Sequence, residues 1–217
     1  LYAISEDQHL NAAYYRNTAI HYFILDAFVE IALLDAASAA GDRSEAFFAR
    51  TDDLRDLFKF EFYLPRRADY RAEIERRVCD RFEDWEEILR GDAAGVREAF
   101  DKTRLLVAHG VLRSFADAYR VAASVLTTAG ADAVEDKSSF LSQCLKAGKQ
   151  ELLQGRVFSA ESISKSLYEN GWRLASYRGL LAADQAEGRG DFHDEFRRIK
   201  RRLDDILAIT QAQADQL

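Results

Sequence analysis

The 217-residue chain has no methionine, one proline (Pro65) and two cysteines, Cys79 and Cys144. Two cysteines are too few for a disulfide framework or a zinc cluster, and they read as reduced thiols of a cytosolic protein. Proline is nearly missing and glycine sits mostly at punctuation points. Together with abundant Ala, Leu, Arg and Glu, this argues for an all-α chain. Positive charge is not in excess: 37 acidic residues against 30 basic ones give a formal charge of −7, which does not suggest a nucleic-acid binder. There is neither an apolar run of about 20 residues nor a basic-apolar-small leader, so any membrane contact is expected to be peripheral. Glycine-rich phosphate loops, G-x-S-x-G and Cys/His metal spacings do not occur, and no metal site is expected. The chain opens at Leu1 rather than Met, which suggests a fragment of a longer polypeptide.

Apolar residues make up 48% of the chain and charged residues 31%, enough for a sizeable core in one or two domains. The stretch that organises the rest is AAYYRNTAIHYFILDAFVEIALL (12–34), where only His21, Asp26 and Glu30 interrupt the apolar run from Ile20 to Leu34. A helix apolar on nearly every side belongs at the centre of a packed domain. At about 100° per residue, Asn17 and His21 share one face, and Asp26 and Glu30 another. Further helices are expected over 45–62, with Ser44 as cap, and over 68–90, ending at Gly91. Three more are expected over 96–128 (Gly110 a kink or close-packing point), 137–154 and 159–181 (Ser159 as cap). The last helix, 191–213, is amphipathic and follows a polar linker at 182–190. The expected fold is all-α: a single multi-helix bundle with a long central apolar helix and a C-terminal amphipathic helix. Residues 1–182 form its main domain, and 183–217 a linker and tail helix packed on it.

Tyr14-Tyr15-Arg16-Asn17 followed by His21, and preceded by Tyr2-Ala3-Ile4-Ser5, opens a series of segments that occur in a familiar order. The others are LRDLFKFEFYLP (54–65), VLRSFADAYRVAASVL (111–126) and GRVFSAESISKSLYENGWRLASYRGLL (155–181). Together they resemble the region after the catalytic domain in bacterial membrane-associated glycerol-3-phosphate 1-O-acyltransferases, and the likeness covers residues 2 to about 182. The resemblance implies a parent reaction in which an acyl group passes from acyl-CoA or acyl carrier protein to the sn-1 hydroxyl of glycerol 3-phosphate. The product is lysophosphatidic acid, for phospholipid synthesis. It also implies that the catalytic domain lies upstream as the partner of this chain, at the cytoplasmic face of the membrane. No catalytic residue and no cofactor, beyond the acyl donor as co-substrate, is then expected here. Tyr14, Tyr15, Arg16, Asn17 and His21 are the substrate-edge or domain-interface candidates.

Several strings suggest chemistry of their own. His21 and Asp26 fit H-x4-D, the catalytic signature of the acyltransferase superfamily. Residues five apart on a regular helix point about 140° away from each other, however, so no hydrogen-bonded pair is expected. Asp52, Asp53 and Asp56 fit the Mg2+-diphosphate motif of all-α isoprenoid synthases, which is the enzymatic alternative; without a second acidic cluster they read as acidic residues of a helix first turn. A free-standing helical binding module is the other alternative. His193-Asp194 reads as a capped first turn rather than a metal dyad. Arg197–Arg202 beside Phe196, Ile199 and Leu203 could lie on an anionic membrane, but a solvated face on a docked helix is the simpler reading. Arg16 could clamp a phosphate, or pair with a carboxylate such as Glu61.

Overall fold

The apolar stretch read as the central helix is interrupted. The computed structural model describes residues 17–91, 93–103 and 105–215. Residues 17–19 are helical, Ile20–Tyr22 make one 3₁₀ turn, and α1 runs from Ile24 to Ala36. The break has both a local and a tertiary cause. The Phe23 N–H bonds to the Ile20 carbonyl at 3.0 Å, and the Tyr22 carbonyl accepts from the Arg77 guanidinium at 3.1 Å instead of from the helix. His21, Tyr22 and Phe23 face solvent. Beyond the break the central character holds: from Ile24 to Leu33 every residue except Asp26 is buried. Each large apolar side chain there contributes about 1.5–3 kcal/mol relative to exposure.

Helix α2 (Arg43–Phe58) starts at Asp42, whose carboxylate accepts from the Ser44 and Glu45 N–H groups at 2.9 and 3.1 Å. Asp42, not Ser44, is therefore the cap; a carboxylate there also complements the helix dipole. Gly41, at φ +87°, makes the preceding turn that a residue with a Cβ would resist. The helix expected over 68–90 divides into α3 (Arg67–Arg81) and α4 (Trp85–Arg90). The division follows from two buried rings: Phe82 turns onto Phe100 with centroids 5.2 Å apart, and Trp85 onto Phe47 at 5.1 Å. The pattern over 96–128 likewise divides, into α5 (Ala93–Lys102) and α6 (Ala108–Thr127). Gly110 lies in the first turn of α6, and a Cβ built on it would meet nothing within 4 Å.

Helix α7 (Lys137–Leu153) is capped by Asp136 in the same manner as α2. Ser159 makes no capping hydrogen bond. A 3₁₀ turn at Ala160–Ser162 comes first, and α8 covers Lys165–Tyr177. Helix α9 (Ala186–Ala214) starts inside the stretch expected as a linker. Arg189 is the reason: it is fully buried, and its guanidinium donates to the carbonyls of Leu180, Gly130 and Ala182, each at 2.8 Å. The all-α expectation holds, since every regular element among the described residues is helical.

The chain forms two compact units. One comprises the described residues among 20–112 and 201–215, with α1 at its centre against α2, α3 and α5. Phe28 stacks on Phe58 within it, with centroids 6.0 Å apart. The other comprises 17–19 and 113–200. Its core includes Tyr119 stacked on Phe196 at 5.3 Å, and Phe140 against Trp172 at 5.1 Å.

Candidate functional site

Each unit buries charge. In the unit built on α1, Asp26 and Glu30 stand one turn apart and face Arg77 and Arg81, one turn apart on α3. Arg77 donates to both Asp26 oxygens at 3.2 and 3.3 Å, and its Nε reaches Glu73 at 3.1 Å. Arg81 lies 3.6 Å from Asp26 and donates to Glu30 at 2.6 Å and to the Leu105 carbonyl at 2.6 Å. Glu30 also accepts from the backbone N–H groups of Val107 (2.9 Å) and Ala108 (2.8 Å), so a carboxylate from α1 caps α6. Those contacts account for the late start of α6. Burial pushes the Glu30 carboxyl up to about 7, against the opposing effects of Arg81 and the two backbone donors. Further along α1, Asp35 accepts from Arg50 at 2.7 Å and from Arg202 at 2.6 Å.

In the other unit, α6 carries Arg113, Ser114, Asp117 and Arg120, a polar seam at helical spacing facing residues 151–161. Ser114 donates to Glu161 at 2.8 Å, and the other oxygen of Glu161 accepts from Asn17 at 3.3 Å. Asp117, 1% exposed, accepts from the Phe158 N–H at 3.0 Å. Arg120 pairs with Glu151 and reaches the Arg156 carbonyl at 3.3 Å. The Arg113 guanidinium lies over the Phe158 ring, 4.6 Å from its centroid. Burial raises the Asp117 pKa, opposed by the Phe158 N–H and by Arg120. Burial, with help from Arg120, lowers that of His193. The sequence reading did not single out these α6 residues. Their signal was present as four polar residues at i, i+1, i+4 and i+7 in a largely apolar helix, inside the segment 111–126.

The candidates read from sequence fare unevenly. Tyr14, Tyr15 and Arg16 lie outside the described residues. Asn17 is exposed and bonded to Glu161; His21 is exposed, with its ring 4.0 Å from that of Tyr22. Asp26, the second residue of H-x4-D, is held by Arg77 and Arg81. Asp52 and Asp53 are exposed, and Asp56 lies 3.6 Å from Arg55. Asp194 pairs with Arg197 at 3.1 Å and does not gather metal ligands. Among the described residues no group of three or more His, Cys, Asp or Glu is placed to hold a metal ion. Phe196, Ile199 and Leu203 are fully buried, so the basic run of α9 has no free apolar stripe beside it. A surface hollow of about 650 Å³ is lined by residues 39–44 with Leu89 and Arg90; Arg43 within it donates to the Leu89 and Gly91 carbonyls.

Fold and site together define an all-helical protein region whose buried charges are held mainly by its own side chains and backbone. The sequence of the glycerol-3-phosphate acyltransferase C-terminal region matches residues 1–184, and the chain belongs to that family. It is 38% identical over 220 residues to the "Putative acyltransferase plsB1" of Mycobacterium bovis (strain ATCC BAA-935 / AF2122/97). The same figures hold for the proteins of that description in two Mycobacterium tuberculosis strains, CDC 1551 / Oshkosh and ATCC 25618 / H37Rv. The matches take in 98% of this chain and 35% of theirs, so the chain spans about a third of the length of these curated relatives. No solved structure matches it.

Proposed function

We propose that this chain is the non-catalytic C-terminal region of an enzyme that moves an acyl group from acyl-CoA or acyl carrier protein to the sn-1 hydroxyl of glycerol 3-phosphate. The product, lysophosphatidic acid, feeds phospholipid synthesis. The family match over residues 1–184 is the observation that carries the reading. The commitment of Asp26 to two arginines supports the non-catalytic part, because an acid held in that way is not available to orient His21 as a general base. In this reading the catalytic groups and the acyl-donor site belong to another part of the polypeptide. The stretch Tyr14–Asn17, with His21, is its interface or substrate edge. No cofactor is held here. Among the described residues no helix is long and apolar enough to cross a membrane. From the family resemblance, the region is assigned to the cytoplasmic face of the membrane as a peripheral part.

The test is transfer of a labelled acyl group to glycerol 3-phosphate, by the purified chain and by a version extended to the full length of its relatives. No turnover by the first and turnover by the second is the expected result. Turnover by the chain alone overturns the non-catalytic reading, and silence in both overturns the reaction.

A further inference from the structure

The connection between α2 and α3 puts an exposed aromatic side chain beside unpaired positive charge. Its sequence, KFEFYLPRR (59–67), begins after α2 and ends on the first residue of α3. Tyr63 is 96% exposed, the most exposed large apolar side chain among the described residues. Arg66 and Arg67 follow it and are exposed, and neither pairs with a carboxylate among the described residues. The loop is nonetheless built. Glu61 and Phe62 donate their N–H groups to the Phe58 carbonyl at 2.9 and 3.2 Å. Arg55 donates to the Pro65 carbonyl at 3.2 Å while its guanidinium lies over the Tyr70 ring. Phe62 packs against Phe58, with centroids 6.1 Å apart. Tyr63 is therefore displayed by a pinned turn rather than left over from a core.

We propose that residues 59–67 contact the anionic headgroups of a lipid bilayer, with Tyr63 entering the interfacial layer and Arg66 and Arg67 meeting lipid phosphates. A tyrosine presents an apolar body and a polar tip, which suits the boundary between headgroup and acyl chain. Charge selects the partner. The chain carries a net −7, yet the loop holds Lys59, Arg66 and Arg67 against Glu61 alone, with Asp69 nearby in the first turn of α3. Screening confines the attraction to about 8–10 Å at physiological salt, so the local excess of cations governs contact and the distant carboxylates do not. The basic run of α9 offers no such surface, because its apolar neighbours are buried. The proposal rests on the peripheral-membrane part of the function proposed above, and it names the contact.

Sedimentation of the purified chain with vesicles tests it, using phosphatidylcholine alone and phosphatidylcholine with phosphatidylglycerol. The chain should bind the second kind only, and release with salt. Near an anionic surface each basic residue is worth about fivefold in affinity, so replacing both arginines (R66A/R67A) should weaken binding roughly twentyfold. Tyr63→Ala should weaken it further at unchanged helicity, since the side chain supports no packing. Tyr63→Trp should shift its emission to the blue on binding. Binding by wild type that R66A/R67A and Y63A leave unchanged would overturn the loop assignment while the membrane reading stands. Absence of binding by the wild-type chain would overturn both. Loop variants that bind vesicles normally but lower acyl transfer in the longer enzyme would make the loop a protein contact.

Discussion

Glu30 and Asp117 are both carboxylates almost wholly removed from water, and both sit on helices rich in buried apolar residues. Their surroundings differ. Glu30 receives one guanidinium and two backbone N–H donors, and all of these are at hydrogen-bonding distance. Asp117 receives one backbone N–H on one oxygen; its other oxygen has no hydrogen-bond partner among the described residues, and the Nε of Arg120 is 3.9 Å away. Two more buried polar atoms in the same unit, the hydroxyls of Ser162 and Tyr168, also lack partners among the described residues. One unit has closed a network around its buried acid, while the other tolerates an incomplete one. A closed network is costly to open, because breaking it strands a charge; an incomplete one loses less when a member is removed.

The largest effect should follow from Arg81→Ala. It removes the cation of Glu30 and a donor to the Leu105 carbonyl, and a stranded buried charge costs about 3–5 kcal/mol. Denaturant unfolding above pH 7 would measure it. The penalty should shrink toward pH 4.5, where Glu30 takes up a proton and only the neutral part of the loss remains. A cost below about 1 kcal/mol at both extremes would mean that Glu30 and Arg81 do not pair in solution.

The pH dependence of the wild-type chain comes next. The folded-state pKa of Glu30, about 7, lies above its ordinary value of 4.5, so the folded protein binds the extra proton between those limits. Stability contributed by this group is then greatest below pH 4.5, declines as pH rises through the window, and is flat above about 7. Asp117 acts in the same direction, starting from its ordinary 3.8. Glu30→Gln should flatten the decline in the upper part of the window. An upper slope that survives Glu30→Gln would assign the titration to another group.

These two acids also mark where sequence reasoning reached its limit. The apolar character of Ile24–Leu33 could be read directly, because burial follows from composition along one helix. The Asp42 and Asp136 caps are local as well, with donors two and three residues away. What could not be read was who faces whom. Arg77 and Arg81 lie 51 residues beyond the acids they hold, and the α6 donors to Glu30 lie 77 and 78 residues beyond it. The break at 20–23 and the late start of α6 both depend on such distant partners, so periodicity joined what tertiary contacts divide. On the candidate site, the family resemblance did more than any motif. H-x4-D and the aspartates at 52–56 matched patterns whose geometry the fold does not assemble.

A smaller effect separates packing from hydrogen bonding in the incomplete network. Gly148 lies on α7 with the Tyr168 hydroxyl so near that an added Cβ would stand 2.2 Å from it. Tyr168 is fully buried and cannot swing aside, so Gly148→Ala should cost about 1–3 kcal/mol despite the better helix propensity of alanine. A thermal melt within error of wild type would show that the ring has room to move.

Tyr168→Phe should have the smallest effect, and it is the most discriminating. The hydroxyl it removes is buried without a hydrogen-bond partner among the described residues, and burial raises its pKa well above the tyrosine range. Deleting an unsatisfied group at constant shape is neutral or stabilising, here by up to about 1 kcal/mol. The ring carbon that bore the oxygen would remain 3.5 Å from an alanine Cβ at position 148, as would Cγ1 of Ile163, and both are ordinary contacts. In the Tyr168→Phe background, Gly148→Ala should therefore lose its penalty and gain about 0.5–1 kcal/mol of helix stability. The two substitutions should couple strongly, whereas Tyr168→Phe and Arg81→Ala should add. If Tyr168→Phe instead cost more than about 1 kcal/mol, the hydroxyl would have a partner in solution, and the contrast between Glu30 and this unit would narrow to Asp117 alone.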